Sequence, residues 1–284
     1  MSASLLVIGG TGTLGRALAA RAPGAGLAVT ATRHRTPGEL PYLDVTNASS
    51  VRSLIGKLRP GIVITTAYQP RGPAMWEVNG EGAGHVAAAA RTVGARTIHL
   101  SSDLVFDGGL EPGRAYAEDD PAEPVLAYGA SKLRGERAVL AADPTALVVR
   151  TSLIYGGDRL TATERLVLDA ADGRSQTAFF SDEVRSPVEV GDLAGALLEL
   201  ATGGRAGLLH LAGPERIDRH SFAVLIARAH GRDPSALRAV RSADLPQWRP
   251  RNCALDSSVG YELLRRPPRP AAEVLLPSAA QAPG

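Results

Sequence analysis

A phenol and an ammonium stand four residues apart in Tyr128-Gly-Ala-Ser-Lys132. On a helix that spacing makes them neighbours on one face. A free phenol, with a pKa of about 10, is a poor acid at neutral pH. A fixed positive charge beside it favours the phenolate and moves the value toward the working range. The pair is therefore a candidate proton donor to a carbonyl oxygen whose carbon takes a hydride, and Lys132 can also hold a cofactor's ribose. Spacing alone equally describes a solvated helix face, so the neighbourhood decides. Ser101-Ser102-Asp103 closes the apolar run before this helix. There Ser102 offers a hydroxyl to orient the carbonyl, although serines at a strand end are otherwise ordinary turn chemistry.

A second constellation lies near the start. Gly9, Gly12 and Gly15, with Thr13 and Leu14 among them, form G-x-x-G-x-x-G directly after the apolar segment Leu5 to Ile8. A tight turn, close backbone approach to a pyrophosphate and a helix N-terminus facing its charge explain three glycines at that spacing. Which dinucleotide binds is read at the end of the following strand, where a carboxylate would hold a ribose 2′-hydroxyl and an arginine a 2′-phosphate. Thr32-Arg33-His34-Arg35 carries two guanidiniums there and no carboxylate. NADP(H) is expected over NAD(H), with Arg33 and Arg35 on the phosphate; the competing reading is two surface arginines. Asp44 either meets the adenine or caps the helix that begins near Ser49.

The elements that position these groups follow from periodicity. Short apolar runs near 4–8, 27–32, 61–65, 96–101 and 146–150 read as strands buried on both faces. Amphipathic stretches near 13–21, 49–58, 75–93 and 128–142 read as helices. Alternation of this kind predicts a Rossmann-like α/β fold, a doubly wound parallel sheet that binds ligands at the carboxyl ends of its strands. The motifs all fall at such ends. We expect a dinucleotide-binding domain over 1–153, completed by about 188–212. A smaller C-terminal substrate-binding lobe would comprise 154–187 and 213–270. There Asp218 should cap a helix that stops at Gly231. Residues 271–284, rich in proline and alanine, should form a flexible tail.

Composition narrows the function classes. With 31 basic and 29 acidic residues and no basic stripe, a nucleic-acid partner is not expected. The single cysteine, Cys253, offers neither an internal disulfide nor a metal cluster, so no metal ligands are assigned. No apolar run approaches the roughly 20 residues that span a bilayer, and the N-terminus lacks the basic start and long core of a signal peptide. The expected location is the cytoplasm, without a membrane partner.

Four blocks in order resemble the extended short-chain dehydrogenase/reductase family, and within it the dTDP-4-dehydrorhamnose reductase group. They are Ser101-Ser102-Asp103-Leu104-Val105-Phe106-Asp107-Gly108, Tyr128-Gly-Ala-Ser-Lys132-Leu-Arg-Gly-Glu136, Arg150-Thr-Ser-Leu-Ile-Tyr155-Gly156 and Arg249-Pro-Arg-Asn252-Cys-Ala-Leu-Asp256. The resemblance implies that Ser102, Tyr128 and Lys132 form the catalytic triad, that Thr66, Ala67 and Tyr68 lie along the nicotinamide, and that Asn79 supports the active-site backbone on the cofactor side. It implies NADPH-dependent reduction of a nucleotide-linked 4-keto sugar or a similar ketone, with a homodimer as in many relatives. Asp103, Leu104, Leu153, Arg185, Arg251 and Asn252 are then the substrate-side residues, with Arg185 on a phosphate. Where the group usually has Thr-Asp-Tyr and a tryptophan, this chain has Ser102-Asp103-Leu104 and Leu153. Two flat rings that enclose a sugar are thus lost, which opens the way to another substrate. Two alternatives share the motifs: an epimerase or dehydratase that retains its cofactor, and a non-catalytic regulatory subunit like that of methionine adenosyltransferase.

Overall fold

The computed structural model describes residues 4–276. Its centre is a six-stranded sheet built from β1 (Ser4–Ile8), β2 (Ala28–Ala31), β3 (Ile62–Thr65), β4 (Arg96–Leu100), β5 (Leu147–Arg150) and, after four short strands introduced below, β10 (Gly207–His210). The spatial order is β10-β5-β4-β3-β1-β2, and every neighbouring pair is parallel. The order reverses at β1, and there a crevice opens at the strand ends.

Side-chain alternation explains why the strands are apolar throughout. Leu5 and Val7 point to one face of β1, where α1 (Thr13–Arg21) and α6 (Val190–Ala201) cover them. Leu6 and Ile8 point to the other, under α2 (Ala48–Leu58) and α3 (Gly82–Thr92). Between α3 and α6 in sequence come α4 (Ala127–Ala142), which packs against α3, and α5 (Ala162–Ala171) in the lobe. The sequence predicts one helix over 75–93; the structure instead places a π-helical turn at Glu77–Glu81 ahead of α3. Asn79 lies in that turn and is fully buried.

Beyond β5 the chain builds a lobe from short pairings. β6 (Ile154–Tyr155) runs beside β9 (Val188–Glu189), β7 (Ala178–Phe180) beside β12 (Arg238–Val240), and β8 (Val184–Arg185) beside β11 (Ile217–Asp218). Phe222 and Ile226 of α7 (Arg219–Ala229), Val167 of α5 and Phe179 form its core. Asp218 caps α7 as expected from the sequence, accepting bonds from the amides of His220 and Ser221 at 3.0 and 2.9 Å. Helix α8 (Ser258–Glu262) packs beside β10. The expected flexible tail from 271 differs from what is found. Ala271–Leu275 forms a helical turn, α9, with Ala271 fully buried against the α7 cluster, because its apolar side chains complete the lobe core. Residues 277–284 of that expectation lie outside the described region. Among the described residues, no helix is long and apolar enough to cross a membrane.

Candidate active site and dinucleotide cleft

The glycine turn joins β1 to α1 with Gly12 at the helix N-cap. A Cβ on Gly15 would lie 2.2 Å from the Gly9 carbonyl oxygen, so the turn closes this tightly only without a side chain there. Leu14 is buried in the core and can offer a ligand only its backbone amide, whereas Thr13 opens the helix. Next to the turn is a cleft bordered by Gly9, Gly12, Arg33, Arg35, Asp44, Thr66, Ala67 and Tyr68. Thr66 fastens its own loop to the turn by donating its hydroxyl to the Ile8 and Gly9 carbonyls at 3.1 and 3.3 Å.

Arg33 and Arg35 both border this cleft, as their place after β2 predicts. The Arg33 guanidinium lies over the Tyr42 ring at 5.9 Å, and its Nε is buried without a hydrogen-bond partner. A buried donor without an acceptor is costly, and a phosphate oxygen would satisfy it. Asp44 does not cap α2. That role falls to Asn47, whose side chain accepts from the Ser50 amide at 3.0 Å. Asp44 instead accepts from the Thr46 amide and hydroxyl at 2.9 and 2.7 Å. Burial pulls its pKa up, but the Thr46 bonds and nearby His34 outweigh that and hold it below the usual carboxylate value.

At the open end of β4 and β5 the structure brings Ser102, Tyr128 and Lys132 together. Helix α4 presents Tyr128, Ser131, Lys132 and Glu136 at the spacing of one face. Gly129 allows that face to approach: a Cβ there would lie 1.8 Å from the Leu104 carbonyl oxygen. Lys132 is fully buried and donates to the Leu100 carbonyl at 2.6 Å. Burial, partly offset by Glu136, lowers its pKa from 10.5 to about 8. Glu136 also accepts from Ser101 at 2.5 Å and from the Arg150 guanidinium at 3.0 and 2.8 Å, forming a buried base for the site.

Tyr128 departs from the expected pKa. Its half-buried phenol is shifted upward, first by burial, then by Tyr68 and Asp103, while Ser102 pulls the other way. Lys132, tied to Leu100, contributes no resolved lowering. A phenol with a raised pKa is protonated at neutral pH, the form a proton donor requires. The Tyr68 and Tyr128 rings meet edge-on with centroids 6.3 Å apart. Asn79 donates to the Gln69 carbonyl at 2.8 Å and to Ser131 at 2.9 Å, and accepts from the Gln69 amide at 2.8 Å. It therefore holds the 66–69 loop against α4 and has no group left to contact a cofactor directly.

Several substrate-side assignments need correction. Asp103 is buried; its oxygens accept from Ser102 at 3.0 Å and from Ser152 at 2.6 Å. It orients the Ser102 hydroxyl instead of facing a substrate. Arg185 is neither an exposed charge nor an open phosphate site. Only 3% exposed, it donates to the carbonyls of Val184, Arg251 and Pro250 at 2.7, 3.2 and 2.9 Å. It also lies 3.7 Å from Asp103 and 3.8 Å from Glu183. Asn252 anchors loops, donating to the Glu111 and Arg114 carbonyls at 3.0 Å. Arg251 is exposed with its guanidinium 4.9 Å from the Trp248 ring. Leu153 packs on the lobe core, and half-buried Leu104 donates its amide to Ser102 at 3.2 Å.

The profile of the RmlD substrate binding domain matches residues 3–273. The chain belongs to the RmlD substrate binding domain family. It is 36% identical over 266 residues to a dTDP-4-dehydrorhamnose reductase of Mycobacterium tuberculosis, covering 88% of this chain and 83% of that protein. Among solved structures, a dTDP-4-dehydrorhamnose reductase ortholog of Clostridium acetobutylicum superposes with a TM-score of 0.81 at 28% identity, covering 92% of each chain. A dTDP-4-dehydrorhamnose reductase of Bacillus anthracis, solved in complex with NADP, shares the fold with a TM-score of 0.84 at 24% identity, over 97% of this chain and 96% of that one. Family membership accounts for the sheet and the four sequence blocks. Ser152, which holds Asp103 at 2.6 Å, is not legible as a site residue from sequence, because a serine in the run Arg150-Thr-Ser-Leu carries no distinctive chemistry of its own.

Proposed function

We propose that the chain is an NADPH-dependent oxidoreductase that reduces the ketone of a nucleotide-linked 4-keto sugar. The observation that carries this reading is one juxtaposition. A protonated Tyr128 flanked by Ser102 stands at the sheet edge next to a glycine-turn cleft bearing Arg33 and Arg35. The names of the relatives agree with it. The sheet-bearing part, 1–153 with 188–212, would hold the dinucleotide, and the lobe of 154–187 and 213–270 the substrate.

The dinucleotide, when bound, supplies the hydride. Gly9, Gly12 and the α1 N-terminus would receive its pyrophosphate, Arg33 and Arg35 the 2′-phosphate, and Thr66 to Tyr68 would border the nicotinamide. NADH would bind more weakly, lacking the phosphate that completes Arg33. Ser102, whose hydroxyl donates to Asp103 in this structure, would turn that proton to the substrate carbonyl oxygen on binding. Tyr128 gives its proton to that oxygen as negative charge develops there, which makes a high-pKa phenol adequate as an acid. Lys132, held by the Leu100 carbonyl, would orient the nicotinamide ribose with its remaining donors. Net NADPH consumption distinguishes this from an epimerase that returns its hydride.

The test is NADPH oxidation across nucleotide-linked 4-keto sugars with wild type and Tyr128→Phe. Loss of general acid catalysis predicts a fall in kcat of about 10²–10⁴. Unchanged turnover in the variant would remove Tyr128 from the mechanism. The same reading includes a cytoplasmic location, which the buried free thiol of Cys253 suits, and a homodimer through α3 and α4.

A further inference from the structure

Tyr68 carries an aromatic ring that is 58% exposed and yet fixed in place. A lone exposed ring is ordinary on a protein surface. This one belongs to a loop fastened on both sides: Thr66 donates its hydroxyl to the glycine turn, and Asn79 holds both the amide and the carbonyl of Gln69 at 2.8 Å. Ala67 lies so close to the turn that a Cβ on Gly9 would meet its amide nitrogen at 2.8 Å. The backbone on either side of Tyr68 therefore has little room to shift, and the ring is offered at one height. It borders the cofactor cleft and meets the Tyr128 ring edge-on, with centroids 6.3 Å apart and an interplanar angle of 72°. Two other residues expected on the substrate side give no flat surface: Leu104 and Leu153 are aliphatic, and Leu153 packs against the lobe core.

We propose that Tyr68 is a specificity-determining residue that carries the apolar face of the substrate's sugar ring beside Tyr128. This deepens the ketoreductase reading and rests on it. The carbon-bound hydrogens along one face of a pyranose are slightly positive, and the face of an aromatic ring is negative. A tyrosine already held by its loop gives that contact at little cost in conformational entropy. Because the ring touches the sugar and not the nucleotide, its contribution separates a nucleotide sugar from the bare nucleotide.

The test is calorimetric binding of dTDP-glucose, dTDP and NADPH to wild type, Tyr68→Ala and Tyr68→Phe, with the first two titrated into protein saturated with NADPH. The probe dTDP-glucose has a sugar and no ketone, so nothing turns over during the titration. Tyr68→Ala should weaken dTDP-glucose by about five- to tenfold, the worth of one aromatic contact, and leave dTDP and NADPH within about twofold. Tyr68→Phe keeps the ring and should recover most of the loss. In turnover, Tyr68→Ala should raise KM for the nucleotide-linked ketone by a similar factor, with kcat changed less than about threefold, as the loss of uniform binding does. Equal dTDP-glucose affinity in Tyr68→Ala and wild type overturns the assignment, as does a wild type that does not bind dTDP-glucose. An equal loss for dTDP marks a folding role and an equal loss for NADPH a wall of the nicotinamide site; either result also overturns it. If wild type binds dTDP-glucose but oxidises NADPH with no 4-keto sugar, the ketoreductase reading fails, while the comparison of dTDP-glucose with dTDP still judges Tyr68.

Discussion

At the residue scale, the division of labour between Tyr128 and Lys132 has a measurable signature. A lowered lysine and a raised tyrosine mean that the first alkaline titration in the site belongs to the ammonium. We predict that kcat/KM falls as pH rises through about 8, the value burial imposes on Lys132. A profile flat to pH 10 would contradict it. Unfolding through this group is not the cause of that fall. The folded chain releases the Lys132 proton at about 8 and an unfolded one at 10.5. Stability linked to the group therefore rises with pH across that window. Arg33 and Arg35 give a second residue-level expectation. Replacing both by alanine should weaken NADPH by about 10- to 100-fold, the loss of one to two charge-assisted bonds, and NADH only slightly. Fluorescence titration of both cofactors checks this, and equal losses would undo the 2′-phosphate assignment.

At the element scale, α4 works as a rigid ruler. Its face carries Tyr128, Ser131, Lys132 and Glu136, and contacts with Asn79, Leu100, Ser101 and Arg150 fix its height over the sheet edge. The 1.8 Å approach predicted for a Gly129 methyl toward the Leu104 carbonyl makes that position the tightest point of the ruler. Gly129→Ala should destabilise the chain by about 1–3 kcal/mol, as overpacking does, and lower kcat by displacing Tyr128. Urea unfolding together with steady-state kinetics measures both, and a variant of wild-type stability and rate would show that α4 tolerates displacement. The helix was legible because its chemistry recurs every three to four residues. The π-helical turn before α3 was not, since Asn79 is buried through contacts with Gln69 and Ser131, partners 10 and 52 residues away.

At the scale of the whole molecule, the lobe is fastened to the sheet at more than one place. Arg16 of α1 pairs with Asp158 of the lobe at 3.0 Å, and Arg185 reaches Asp103 at 3.7 Å. The exposed Arg16 pair contributes little, whereas removing one side of the buried Arg185 cluster would leave an uncompensated charge. For assembly, pairing through α3 and α4 predicts elution at twice the chain mass in gel filtration with light scattering. A monomer at working concentration would reject the homodimer.

The sequence by itself determined the parallel sheet, its two helical layers, the glycine turn and the tyrosine–lysine face, because each is written in local spacing that backbone geometry translates directly. Only the tertiary structure decided which charges are available. Arg185, Asp103 and Asn252 read as substrate groups in one dimension. In three they are consumed by carbonyls, hydroxyls and carboxylates contributed mostly by distant segments. Burial and pairing depend on what packs opposite, and that is not encoded in any residue's near neighbours.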